Sequence, residues 1–280
     1  MLRAGPPAGN GPSSEEGARG GHARPLTREA VLIGLAILAY FGIRNLTAGS
    51  PDAAFDNAHR IVDLEERLGI AWEDELQGLV IDYGLLVNAV NWAYIWLHWP
   101  VILTAAVLLF LVRRDRYVLL RNALFVSGAI GFLFFALVPV APPRLLDLGL
   151  QDTVTEHSYA YRALQPPGLT NQFAAFPSLH SGWNLLVGIV LFLAFTSLWV
   201  RAFAVVMPVA MALAVVMTAN HFVIDVAAGV VVVLFGLAVA LAIERRRPAA
   251  STLRRDADPG DGSADRPAEQ TVVRGRSPRG

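Results

Sequence analysis

The stretch AAFPSLHSGWNLLVGIVLFLAFTSLWV, residues 174–200, sets a histidine between a proline turn and a long apolar run. From Trp183 to Leu198 almost nothing is polar except Asn184, Thr196 and Ser197. Such a run reads as a helix crossing a bilayer, with the ionisable His180 at its mouth. The rest of the chain agrees. It has 280 residues, a mean hydropathy of +0.47, 54% hydrophobic residues and 16% charged residues. A soluble domain carries about 25% charged residues. The apolar residues are gathered in long blocks, as in a protein with several spans. The net charge is +0, which implies no nucleic-acid partner. There is no cysteine, so disulfides, thiolate metal sites and cysteine nucleophiles are excluded. All 23 basic residues are arginine, which excludes lysine chemistry as well.

Six spans are expected, near Ala30–Asn45, Asn88–Val112, Val118–Val140, Leu179–Val200, Ala202–Ala219 and Phe222–Ile243. Backbone polar groups in lipid must be satisfied internally, so these are helices. The expected fold class is all-α, a polytopic membrane helical bundle of six transmembrane helices formed by residues 28–247. Residues 1–27 and 248–280 are rich in Gly, Pro, Ser and Arg and read as disordered tails. The polar N-terminal stretch is too long for an ordinary signal peptide, so the first span reads as a retained anchor. Arg24 and Arg28, the Arg113, Arg114 and Arg116 group, Arg201, and Arg245 to Arg247 then fall on one side, the cytoplasmic one. The expectation is a multi-pass protein of the plasma membrane with both termini cytoplasmic. Segment 47–87 falls on the other side and is acidic. Within it, Ala58, Ile61, Val62, Leu64 and Leu68 recur at roughly helical spacing. That is an amphipathic outer-face helical segment, read as a cover over the bundle rather than a lipid entrance.

The fifth span ends in MTANHFVIDVAAG, residues 217–229. His221 and Asp225 are four apart and share a helix face. An aspartate there can hold the ring through one nitrogen and leave the other free. The separation 221 − 180 = 41 residues is about two crossings of 20 each, so both histidines return to the outer surface. The third span delivers VPVAPPRLL, residues 138–146, to the same side, with Arg144 after two helix-stopping prolines. This constellation suits phosphoryl transfer. A neutral His221, oriented by Asp225, can attack phosphorus and form a phosphohistidine. His180 can donate a proton to the leaving oxygen. Arg144 can hold the non-bridging oxygens, and Ser178 can cap the fourth helix where its N–H groups meet phosphate. No cofactor and no metal is needed, nor is there the usual carboxylate cluster for magnesium.

The motifs APPR, AAFPSLHSGW and NHFVIDVAAG resemble those of the type 2 phosphatidic acid phosphatase superfamily over roughly residues 30–245. The F-P-S-L-H form resembles the branch that contains inositol phosphorylceramide synthase. The resemblance implies a helical membrane bundle that cleaves or transfers phosphate esters, with His221 as nucleophile, Asp225 its partner and His180 the general acid. It also implies Ser178 and Arg144 as phosphate ligands. Two usual cations are missing: Leu137 stands at the lysine position of the first motif, and Val215 at the arginine position of the third. Arg162 and Arg44 are candidate replacements. The expected activity is that of a membrane phosphatase on a lipid-linked phosphate. A phosphotransferase moving a phospho-headgroup such as inositol phosphate is the alternative. Two other readings are a haem carrier with His180 and His221 as axial ligands and an inactive lipid-binding relative. His98, between Trp and Tyr residues, reads as an interfacial residue. His59 and His157 read as solvated loop residues, and His22 lies in a tail. Asn220 and Thr218 are assigned no role beyond the turn.

Overall fold

The computed structural model describes residues 27–35, 38, 42, 51–157 and 171–246. The chain divides into two units, Met1–Glu244 and Arg245–Gly280, and the fold below is that of the first. Among the described residues the regular elements are all helices: α1 (Pro51–Leu68), α2 (Glu73–Gly78), α3 (Gly84–Trp96), α4 (Trp99–Val112), α5 (Arg114–Leu137), α6 (Thr153–His157), α7 (Leu179–Ala194), α8 (Leu198–Met217) and α9 (Val223–Arg245). A single 3-10 turn, Pro143–Leu145, follows α5.

The all-α membrane bundle is as expected; the described residues show three or four candidate spans, and these are differently cut. Helices α5, α8 and α9 are long and apolar enough to cross a membrane, and α3 with α4 makes a fourth candidate bent by 44°. The expected second span is therefore broken, at Leu97–His98. Its cause is Pro100 in the first turn of α4, which cannot continue a helix from before it. The expected fourth span, Leu179–Val200, also stops early. Helix α7 has 16 residues and ends at Ala194, and Phe195 is extended. The freed carbonyl of Phe195 accepts from Arg201 Nε at 3.0 Å, and the next helix starts just after Ser197. Of the expected first span, Ala30–Asn45, only part lies within the described residues.

The short α7 is the axis of the bundle. Its buried face includes Leu186, Val187, Val190 and Leu191, which pack with Leu109 of α4, Leu120 of α5, Met207 of α8 and Val233 of α9. The bundle's outer surface stays apolar, with Leu85, Trp199, Val231 and Phe235 all exposed. Apolar residues in such number on the outside suit lipid contact. At the end of the bundle away from Arg113, helix α1 lies across the loops. Asn57 Nδ2 donates to the Pro139 carbonyl at 2.9 Å, and the Ala141 amide donates to the Ala54 carbonyl at 3.1 Å. Buried Ala54 and Ala58 meet Val140, Ala141, Ala175 and Phe222 there. The amphipathic segment is thus a cover, through Ala58, Ile61 and Val62 of its expected face, whereas Leu64 and Leu68 are exposed.

Helices α7 and α9 touch backbone to backbone where Gly182 and Gly229 meet, the close contact these glycines suggest. A Cβ on Gly229 would lie 2.2 Å from the Ser178 carbonyl oxygen, and one on Gly182 2.7 Å from the Gly229 carbonyl oxygen. A methyl group at Gly229 must push α9 off α7. Gly229→Ala is expected to destabilise the protein by about 1–3 kcal/mol, the usual range for overpacking, read as a lower thermal midpoint in detergent. An unchanged midpoint would mean the crossing is looser than described.

Candidate active site

The site lies at the α1-covered end of the bundle, where three chain segments meet. After α5, Val140 bridges in parallel to Ala174. Its amide donates to the Phe173 carbonyl at 2.9 Å, and its carbonyl accepts from the Ala175 amide at 3.2 Å. The turn after α8 supplies the third segment. Ala219 takes a left-handed φ of 53° as the chain leaves the helix, and the amides of Asn220 and His221 both reach the Val215 carbonyl at 3.1 Å. A left-handed residue just past a helix end is a common way of closing it, unusual here for alanine rather than glycine.

The turn buries His221, which is 4% exposed. Its Nδ1 lies 2.8 Å from the Ala175 carbonyl and 3.5 Å from Asp225 Oδ2. A carbonyl only accepts, so Nδ1 carries the hydrogen and the Nε2 lone pair is free. Burial holds the imidazole below its ordinary range, at about 4, so the ring is neutral near pH 7. The sequence predicts Asp225 as the group that holds this nitrogen; the nearer partner is the Ala175 carbonyl. Asp225 is fully buried, and its Oδ2 also accepts from the Phe222 amide at 2.8 Å.

His180 lies in the first turn of α7, with its ring centroid 5.8 Å from that of His221. Tyr94 stacks on it at 5.0 Å, and His98 meets it at 4.1 Å. His98 is not interfacial: it is buried at the break between α3 and α4, and its ring also stacks on Trp183 at 6.0 Å. The proline break turns its side chain inward. Asn184, one turn beyond His180, joins the two histidines. Its Nδ2 donates to the His180 carbonyl at 2.8 Å and lies 3.2 Å from His98 Nδ1. A residue four positions after His180 shares its face, so Asn184 could have been found in the sequence. His98 could not, because nothing local marks the break as facing inward. His59 is exposed, with Nδ1 2.8 Å from the Phe55 carbonyl.

Arg144 sits in the 3-10 turn. Its amide donates to the Ala219 carbonyl at 2.9 Å, Nη1 donates to Asn220 Oδ1 at 2.5 Å, and Nε lies 3.3 Å from Asp152 Oδ2. Asn220, given no role in the sequence reading, thus ties the arginine to the His221 turn. Thr218 supports Asn220, whose Nδ2 donates to Thr218 Oγ1 at 2.9 Å. Ser178 caps α7 through Oγ, which accepts from the Ser181 amide at 3.4 Å. Its own amide donates to the Asp225 carbonyl at 2.9 Å. The structure therefore brings His221, Asp225, His180, Arg144 and Ser178 to one end of the bundle.

A family model described as the PAP2 superfamily matches residues 59–239, more than half of the chain. The chain belongs to the PAP2 superfamily. A search of the curated proteins and of the solved structures returned no match. Members of the PAP2 superfamily are typically phosphatases or phosphotransferases. The positions of the two usual superfamily cations bring no charge here. Leu137, at the end of α5, is 71% exposed, and Val215 is buried with Tyr94 and Met211. Arg162 and Arg44 lie outside the described residues.

Asn184→Leu leaves the buried His98 Nδ1 without its donor. A buried polar group left unsatisfied costs about 1–3 kcal/mol, so a lower thermal midpoint is expected. A midpoint at or above that of the wild type would show that the bridge is not formed.

Proposed function

We propose that the chain is a membrane phosphatase acting on lipid-linked phosphate esters through a phosphohistidine. The observation that carries this reading is His221, whose Nδ1 is occupied by the Ala175 carbonyl while Nε2 is left as a free nucleophile beside His180. Nε2 attacks phosphorus, and the phosphorus–oxygen bond to the leaving group breaks. His180 gives that oxygen a proton. Water then attacks the phosphohistidine as His180 takes a proton back, and the phosphorus–nitrogen bond breaks. Arg144 holds the non-bridging oxygens, and the first N–H groups of α7, capped at Ser178, add the positive end of a helix. Asp225 supports the imidazolium character that develops on His221. No divalent metal enters these steps.

In this reading the chain crosses the plasma membrane six times, with Ala30–Asn45 and the short α7 as the two further crossings. The termini, including tails 1–27 and 248–280, are cytoplasmic, and the site faces outward. The F-P-S-L-H form resembles that of the branch containing inositol phosphorylceramide synthase. On that motif a second reading follows, in which a polyol or lipid hydroxyl replaces water and a phosphodiester forms.

Purified protein in detergent, given a panel of lipid phosphates with and without myo-inositol, tests both. Phosphate release is expected from the wild type and none from His221→Ala. His180→Ala should slow release by about 10² to 10⁴, the usual loss for an acid–base group. Unchanged activity in either variant would overturn the site. A new phosphodiester formed at the expense of release would make the chain a transferase. EDTA should leave the rate unchanged; inhibition reversed by magnesium would contradict the metal-free steps.

A further inference from the structure

The first turn of a helix has N–H groups with no partner inside that helix. At α9, which carries Asp225, three carboxylates take them. Asp225 Oδ2 accepts from the Phe222 amide at 2.8 Å, in the reciprocal manner of a capping box. Glu73 Oε1 of α2 accepts from the Val223 amide at 2.8 Å. Glu65 Oε1 of α1 accepts from the Ile224 amide at 2.7 Å. The last two arrive from 150 and 159 residues away in the chain.

Neither glutamate is an ordinary surface acid. Glu65 is 1% exposed and Glu73 is 7% exposed. The other buried residues of α1 are Ala54 and Ala58, which suffice for a cover. A buried glutamate beside them is costly unless it has a specific partner. Glu73 is close enough to Glu65 for its charge to push the Glu65 carboxyl up. Among the described residues no arginine or histidine pairs with either one. Helix α2 is itself pinned: Gln77 Nε2 donates to the Gln151 and Met217 carbonyls, both at 3.0 Å.

We propose that Glu65 and Glu73 are positioning residues that clamp the first turn of α9 and thereby set Asp225 and the His221 ring. The role rests on His221 being the nucleophile. The positive end of the helix favours carboxylate acceptors at these amides. The groups facing Glu65 are Glu73 from α2 and Asp225 from α9. Burial, followed by those two charges, pushes Glu65 up to about 8 against an ordinary 4.5. The folded protein keeps this proton where the unfolded chain has lost it. Its stabilisation is therefore full below about pH 4.5 and is lost as pH rises to about 8.

The test compares full-length wild type, Glu65→Gln and Glu65→Ala in detergent. The thermal midpoint of the wild type should fall between pH 5 and 8. Glu65→Gln keeps the acceptor for Ile224 without titrating, so its midpoint should fall less. The same slope in both would show that Glu65 does not carry that proton. For positioning, Glu65→Gln should keep kcat within about two-fold. Glu65→Ala should lose about ten-fold or more in kcat with KM little changed, because a misplacement of about 1 Å can cost 10²-fold. Equal kcat in wild type and Glu65→Ala would overturn the role, and so would a failure of Glu65→Gln to restore it. If the wild type turns nothing over, the phosphatase reading fails separately. The rate at which diethyl pyrocarbonate modifies His221, read by peptide mass, then decides the clamp. Glu65→Ala should raise that rate and Glu65→Gln should not; equal rates in all three would overturn it. Should Glu65→Ala not fold, Glu65→Asp, one methylene shorter, takes its place in each comparison.

Discussion

One backbone hydrogen bond holds the site together: the Ser178 amide donates to the Asp225 carbonyl at 2.9 Å. It forms because Gly229 has no side chain to keep α9 from the Ser178 carbonyl. This contact joins the first turns of α7 and α9. His180 lies two residues beyond Ser178, His221 four residues before Asp225, and Ala175, the partner of His221, three residues before Ser178. Fixing these two helix starts therefore fixes both imidazoles. The covering helix α1 and the Arg144 turn are then added through backbone contacts to the same loops.

The charge at this end of the bundle is sparing on the positive side. Arg144 is already held by Asn220 and Asp152, so its guanidinium is oriented before any anion arrives. That restraint lowers the entropy lost on binding. Leu137 faces outward and Val215 is packed in the core, so neither position adds a charge at this end. The N–H groups of α9 are already taken by carboxylates, whereas α7 has only its Ser178 cap. The two helix starts thus differ in kind although they lie side by side.

The helical fold and the residues gathered at one end could be read from the sequence, because apolar runs and the His221–Asp225 spacing are local signals. The membrane helices near α5, α8 and α9 lay where the runs placed them. The cuts within the second and fourth spans did not, because hydropathy does not register a break inside an apolar run. Pro100 and the Thr196–Ser197 pair were the visible cues, and they were outweighed by the greasy residues around them. Asn220 was seen as part of a turn, but its bond to Arg144 depends on two segments 76 residues apart meeting in space. Segment 47–87 reads as acidic and outward-facing, and nothing in it marks Glu65 or Glu73 as buried. Their burial follows from where α1 and α2 come to rest, which no spacing within either helix encodes.

The bend between α3 and α4 has a mechanical meaning. His98 sits at the break, and its ring forms one side of the stack on His180, with Tyr94 of α3 on the other. A change in the angle between the two half-helices has to shift at least one of these rings. The orientation of His180 is thus tied to the angle between α3 and α4.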